Sequence, residues 1–208
     1  MKILYLCMGS LFKTFYDLNS EIKKNTKVDD YYFVTDPFFS EKFIELKKIN
    51  QKKIIREYGF NDTTDYFDDR IAVNLKHQFF TIKAIYKSME KSGGGTIVNM
   101  GSVSWMIGQG GMPIYLSCKS AIVGLTRSMA RDLGPKNIRV NSVLPGWIMT
   151  ERQKKLWLTP EGEEELLRRQ CLKRKLEPEE IAKIVLFFSS EDSGVCTNQN
   201  FVADGGWV

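Results

Sequence analysis

Short apolar runs alternate with segments of helical period along this chain. Residues 2–7 and 31–35 are apolar enough for buried strands, whereas residues 10–22 and 40–49 repeat their apolar positions at the spacing of helices. This β-α-β-α order predicts a parallel sheet whose strands are joined by crossover helices.

The alternation becomes sharper after Asp65. The elements predicted there are a helix to Lys87, a strand over 96–100, a helix over 114–133, a strand over 138–144, a helix over 177–188 and a strand over 200–204. We expect Gly134 to take the left-handed cap of the second long helix, and we expect the charged residues 150–175 to form a mobile excursion. The predicted fold class is α/β, a doubly wound parallel sheet that binds ligands at the carboxyl ends of its strands.

Composition narrows the class of protein. A chain of 208 residues with 43% hydrophobic content predicts one domain with one core. No apolar run reaches the roughly 18 residues of a membrane span, and the N-terminus is more typical of a strand than of a signal peptide, so we expect a cytoplasmic protein without a membrane partner. The net charge of +5 is dispersed, which argues against a nucleic-acid partner, and four scattered cysteines with one histidine indicate no metal site.

Tyr115 and Lys119 are the first candidates for chemistry. Four residues apart on a predicted helix, they share one face. A phenol with a pKa near 10 is a poor base at neutral pH, but a nearby ammonium lowers that pKa. Such a pair alone is more often a surface feature. Ser102, just past the preceding strand, could hydrogen-bond a substrate's reacting oxygen at the same sheet edge.

The order of motifs around this pair is specific. A strand leads to GlySerValSer, then come TyrLeuSerCysLys on a helix, IleArgValAsnSerValLeuProGly and a terminal AspGlyGly. This order resembles the short-chain dehydrogenase/reductase family over the last two thirds of the chain. The resemblance implies a Rossmann-like fold and NAD or NADP as cofactor. It also implies a homo-oligomer, dimer or tetramer, paired through the long helices that start near Arg70 and Ile114.

The resemblance also assigns roles. It makes Tyr115 the catalytic acid/base and Lys119 its partner, both also cofactor ligands, Ser102 the orienting hydroxyl and Asn74 the holder of a proton-relay water. The loop that would line the nicotinamide comprises Pro145, Gly146, Ile148 and Thr150.

Within the family, the chain looks most like pentose and related aldose 1-dehydrogenases. The segments GlySerValSerTrpMet, GlyGlyMetProIleTyr and AspGlyGlyTrp carry this likeness. It implies a small sugar or alcohol as substrate, and for an aldose sugar oxidation at the anomeric carbon to a lactone. Ser104, Trp105 and Trp147 are candidate substrate contacts, because a sugar presents hydroxyl groups to polar side chains and flat apolar faces to indole rings. Taken alone, each Trp is more often part of core or interface packing.

The first 64 residues depart from the family. Its TGxxxGxG phosphate loop is missing, because only Gly9 and Gly59 occur in the first ninety residues. Gly9 follows the first strand, and Asp36 could bind an adenosine ribose or be a plain turn residue. We therefore expect one domain with an abbreviated, atypical N-terminal segment, 1–64, and a dehydrogenase part, 65–208. The alternatives are a non-catalytic member of the fold with impaired cofactor binding and, more remotely, a nucleotide-sugar binder.

Overall fold

The computed structural model describes residues 2–6, 30–34 and 64–208. Its strands are β1 (Lys2–Leu6), β2 (Asp30–Val34), β3 (Gly95–Met100), β4 (Ile138–Pro145) and β5 (Asn200–Ala203). Its helices are α1 (Thr64–Ile71), α2 (His77–Lys91), α3 (Pro113–Leu133), α4 (Glu151–Leu156), α5 (Pro160–Arg169) and α6 (Pro178–Ser189). A π-helical turn, Ala72–Lys76, joins α1 to α2.

The five strands form one parallel sheet in the order β2-β1-β3-β4-β5. Lys2 of β1 pairs with Asp30 on one side and with Gly95 on the other, so the strand order reverses at β1. In doubly wound sheets the ligand crevice opens at such a reversal, outside the carboxyl ends of the strands. The predicted α/β class is confirmed, and the residues that follow Met100 of β3 lie at this edge.

Helices pack on both faces of the sheet. Successive residues of a strand point to opposite faces, so neighbours in β3 contact different helices. Ile97 of β3 packs with Ile82 of α2 and Leu133 of α3. Its neighbour Val98 packs with Val185 of α6 and other residues of a second cluster. Strand β3 is buried almost throughout, which explains its uninterrupted apolar sequence.

The structure corrects three local expectations. Gly134 is right-handed (φ −53°), and Asn137 (φ 55°) takes the left-handed position after a short 3₁₀ turn, Gly134–Lys136. The predicted single helix after Asp65 is divided by the π-helical turn. The expected mobile excursion contains two helices, α4 and α5, whose N-termini are capped by threonine side chains.

The predicted helices over 10–22 and 40–49 lie outside the described residues. Within the part of the chain that the structure describes, no helix is both long and apolar enough to cross a membrane.

Candidate active site

The candidate site begins at the carboxyl end of β3. The backbone turns directly after Met100, where the Gly101 amide donates to the carbonyl of Val143 in the neighbouring strand β4. Ser102 is half-buried, and its Oγ lies 2.9 Å from the Oγ of buried Ser104. The Ser104 amide also donates to Ser102 Oγ, at 3.2 Å. When the Ser104 hydroxyl donates as well, the Ser102 proton points elsewhere and can serve another acceptor.

Tyr115 and Lys119 lie near the N-terminus of α3, which begins at Pro113, a residue suited to the first turn of a helix. Lys119 is only 1% exposed, and its Nζ donates to the Met100 carbonyl at 3.1 Å. The same Nζ lies 5.6 Å from the centroid of the half-buried Tyr115 ring. The predicted pair therefore exists, and it is anchored at the strand end that leads into Ser102.

The predicted Asn74 lies in the π-helical turn and is buried. Its Nδ2 donates to the carbonyl of Arg70, one turn earlier in the same helical segment, at 2.9 Å. Gln78, one turn later, reaches the sheet: its Nε2 donates to the Met100 carbonyl at 3.3 Å. Gln78 did not stand out in the sequence, because one polar residue in an amphipathic helix carries no distinctive spacing. Its buried contact is visible only in three dimensions.

Backbone hydrogen bonds join the loop after β4 to the turn that carries Ser102 and Ser104 (the serine turn). The Val103 amide donates to the Pro145 carbonyl at 3.1 Å, and the Gly146 amide donates to Ala203 of β5 at 3.0 Å. Ile148 is buried and forms an isolated parallel bridge with Leu176.

The same loop ends in a helix cap. Buried Thr150 accepts a hydrogen bond from the Gln153 amide at its Oγ1, which caps α4. The predicted loop and the serine turn thus share one edge of the sheet.

The two candidate tryptophans are half-buried. Trp147 donates from Nε1 to the Oε1 of Gln153 at 2.7 Å, and its ring packs against Gly162 of α5. Trp105 follows Ser104 in the serine turn, and its buried Nε1 has no hydrogen-bond partner among the described residues. Trp147 therefore connects the loop to α4 and α5. Neither indole N–H donates a hydrogen bond to Ser102 or Ser104.

Burial and charge shape the surroundings. Burial raises the pKa of the Cys118 thiol, and the neighbouring Lys119 charge opposes that rise only in part. At the start of α6, Arg174 and the Glu177 backbone amide hold the pKa of the Glu180 carboxyl down at about 2. The Arg174–Glu180 ion pair fastens the segment after α5 to the first turn of α6.

Two candidate residues, Gly9 and Asp36, lie outside the described residues. Among residues 64–208 and the two described N-terminal strands, no cluster of His, Cys, Asp or Glu side chains could hold a metal ion.

A family model described as enoyl-(acyl carrier protein) reductase matches residues 51–208. The chain belongs to the short-chain dehydrogenase/reductase family. The resemblance of the motifs around Tyr115 is thereby confirmed.

Individual relatives refine the placement. The chain is 46% identical over 145 residues to D-xylose 1-dehydrogenase of Caulobacter vibrioides, which covers 70% of this chain and 58% of that protein. It is 44% identical to the protein of Rhizobium meliloti named Probable galactose dehydrogenase GalD, over 69% of this chain and 56% of the relative. The chain thus spans little more than half the length of these relatives.

Among solved structures, 4-hydroxyisoleucine dehydrogenase complexed with NADH matches with a TM-score of 0.75 and 27% identity. The match covers 100% of this chain and 99% of that one.

Proposed function

We propose that this chain is an NAD(P)-dependent oxidoreductase that oxidises an aldose at its anomeric carbon to a lactone. The observation that carries the proposal is the Lys119 ammonium, held by the Met100 carbonyl at 3.1 Å and 5.6 Å from the Tyr115 ring centroid, at the strand end that leads into Ser102. The likeness to xylose and galactose dehydrogenases supports the sugar as substrate class.

Each side chain then has a task that its chemistry suits. The Ser102 hydroxyl donates to the substrate's C1 oxygen and holds it near Tyr115. The Tyr115 phenolate accepts the C1 hydroxyl proton as the C1–H bond breaks, and the Lys119 ammonium stabilises that phenolate. The Ser104 amide donates to Ser102 Oγ and the two hydroxyls share a hydrogen bond, which holds the Ser102 hydroxyl in place. The products are the lactone, the reduced cofactor and one proton.

The side chains expected around the nicotinamide end of the cofactor offer suitable hydrogen-bond donors. When bound, the oxidised nicotinamide supplies a hydride acceptor. Lys119 and Tyr115 offer an ammonium and a phenol to ribose hydroxyls, and Thr150 offers a hydroxyl to the carboxamide. The solved 4-hydroxyisoleucine dehydrogenase with bound NADH supports this class of cofactor. Gly9 and Asp36 remain the predicted contacts of the pyrophosphate and adenosine ends.

We also propose one domain over residues 1–208 and a homo-oligomer. Pairing of β2 with β1 and of β1 with β3 in one sheet supports the single domain. The predicted pairing runs through the long helices that start near Arg70 and Ile114, and the exposed aromatic side chains along the first of them, Phe67, Phe79 and Phe80, support it. A cytoplasmic location stays a prediction.

The first experiment mixes the protein with D-xylose, L-arabinose or D-galactose and either NAD⁺ or NADP⁺. We expect reduced cofactor to accumulate together with an equal amount of lactone, detected as its hydroxamate. Tyr115→Phe should abolish turnover, since it removes the proton acceptor. Tyr86→Phe is the matched control, because this half-buried tyrosine packs in the core cluster on α2 and should keep full activity.

The non-catalytic alternative has its own signature. The missing glycine-rich loop favours it, because side chains in place of glycine block close approach to pyrophosphate. A titration of the protein with NADH, followed by NADH fluorescence, distinguishes the two hypotheses. Saturation at micromolar cofactor supports the oxidoreductase, and no binding at millimolar cofactor supports the non-catalytic alternative. Stabilisation by UDP-sugars without NADH binding would instead favour the nucleotide-sugar binder.

A further inference from the structure

A layer of polar side chains lies inside the core, behind the candidate active site. Alternate residues of a strand point to the same face, so Asn99 of β3 shares the face of Ile97, which packs against α2 and α3. Ile97 lies among apolar side chains, whereas Asn99 is 0% exposed and donates from Nδ2 to the Oγ1 of Thr126 on α3 at 2.9 Å. Thr126 is also 0% exposed. A buried polar layer therefore follows an apolar one.

Gln78 joins this layer from α2. It is 0% exposed and lies one turn before Ile82, on the same face of the helix. A short turn connects α2 to β3, so the two elements run in opposite directions, and one helical turn and two strand residues each advance about 6 Å. Gln78 therefore lies at the level of Asn99. Its Nε2 donates to the carbonyl of the next residue, Met100, at 3.3 Å.

Two oxygen atoms of the layer are acceptors without a donor. The Oε1 of Gln78 and the Oδ1 of Asn99 are buried, and neither accepts a hydrogen bond from any described residue. Turning the Gln78 amide over would point its oxygen at the Met100 carbonyl, so the present orientation is the favourable one. A buried acceptor without a donor is costly. Both oxygens need a donor, and neither can supply one to the other.

We infer that one water molecule is bound inside the core and donates a hydrogen bond to each of these two oxygens. Buried waters typically make about three hydrogen bonds, to polar groups that would otherwise be unsatisfied. The Met100 carbonyl accepts from both Gln78 and Lys119 Nζ, so this water lies on the core side of the candidate active site. The surrounding side chains are almost fully buried, and we therefore expect slow exchange of the water with solvent. It is present whether or not the chain oxidises a sugar.

A high-resolution crystal structure of the wild-type protein is the first test. We expect one water oxygen within about 3.2 Å of both amide oxygens. A direct hydrogen bond between the amide groups of Gln78 and Asn99 would overturn the water site, since the two side chains would then satisfy each other. A side chain from outside the described residues at the same place would overturn it equally.

Solution NMR tests the same water in variants. Nuclear Overhauser transfer from water to the Nδ2 protons of Asn99 should be visible in the wild-type protein, and Asn99→Leu identifies that signal by removing it. In Gln78→Met, which keeps the shape of the side chain but offers no acceptor, the transfer should fall at least about threefold, because the water loses one of its two acceptors.

Gln170→Met is the matched control. Gln170 is also 0% exposed, its Oε1 has no partner within the described ranges, and its Nε2 donates to the carbonyls of Leu172 and Arg174. This variant should leave the transfer to Asn99 unchanged. Absence of transfer in the wild-type protein, or an equal fall in Gln170→Met, would overturn the water site. If Gln78→Met does not fold, the two wild-type experiments decide the question alone.

Discussion

The Gly146 position offers a sharp test of how the loop after β4 is held. A Cβ atom on Gly146 would lie 2.8 Å from both Cα and Cβ of Asp204 and 3.3 Å from its carbonyl oxygen. Carbon atoms pack favourably at about 3.5–4.0 Å, so a Cβ would be too close by most of an ångström. Because Cα of Asp204 is backbone, a side-chain rotation cannot relieve the contact.

The two sides of this contact have little freedom to separate. The Gly146 amide donates to Ala203, and the Asp204 carboxylate accepts from the amides of Gly206 and Val208 at 2.8 and 2.9 Å. We therefore expect Gly146→Ala to destabilise the fold by about 1–3 kcal/mol, the usual cost of overpacking. For a chain of this size that lowers the melting temperature by roughly 2–12 °C. The Michaelis constant for the cofactor should rise, since the displaced loop is the predicted nicotinamide contact.

Gly124 provides the control. It lies within α3 without a positive φ, and nothing is within 4 Å of the position its Cβ would take. Gly124→Ala should stabilise the protein by about 0.5–1 kcal/mol, because alanine has the higher helix propensity. Urea unfolding and thermal melting of both variants measure the difference. If Gly146→Ala is as stable as the wild type, the close approach of loop and C-terminal turn is refuted.

Three further predictions follow from individual contacts. Ser104→Ala should lower kcat about tenfold, and Ser102→Ala should lower it further, because the first change only loosens the orienting hydroxyl; equal losses in the two variants would contradict this order. Glu180 has a lowered pKa, so its stabilisation is complete above about pH 4.5 and is lost as pH falls towards 2. In Glu180→Gln, the free energy of unfolding should decrease less between pH 4.5 and about pH 2, by about 1 kcal/mol or less, since the Arg174–Glu180 pair is screened by solvent. The same decrease as in the wild type would count against the pairing. Thr150→Val should lower the free energy of unfolding, measured in urea, by about 1 kcal/mol because α4 loses its N-cap. An unchanged free energy of unfolding would contradict the capping role of Thr150.

The fold was predicted well from the sequence where a local pattern of residues corresponds to a single structure. The apolar run 96–100 is a strand because both faces of β3 are covered, and its burial follows from that. The Tyr115–Lys119 spacing placed both groups correctly, since a helix fixes the relation of residues four apart. Local rules of this kind need no knowledge of the rest of the chain.

Other features of the fold were not predicted from the sequence. The left-handed position is Asn137 and not Gly134, because the chain inserts a 3₁₀ turn before it enters β4. The segment 150–175 was expected to be mobile on account of its charge, yet caps by Thr150 and Thr159 and the Trp147–Gln153 bond stabilise two helices. These contacts are local, and the charge of the segment concealed them, whereas the contact of Gln78 with Met100, 22 residues apart, is visible only in the folded chain.

The central place of β1 has a consequence for the order in which the chain can fold during its synthesis. Its partner β3 begins about 90 residues later, so the first strand leaves the ribosome long before one of its two neighbours exists. Until then, the hydrogen-bonding groups on that side of β1 are open to other chains. Nascent protein should therefore depend on chaperones that shield extended segments, and refolding after dilution from denaturant should be slow and sensitive to protein concentration.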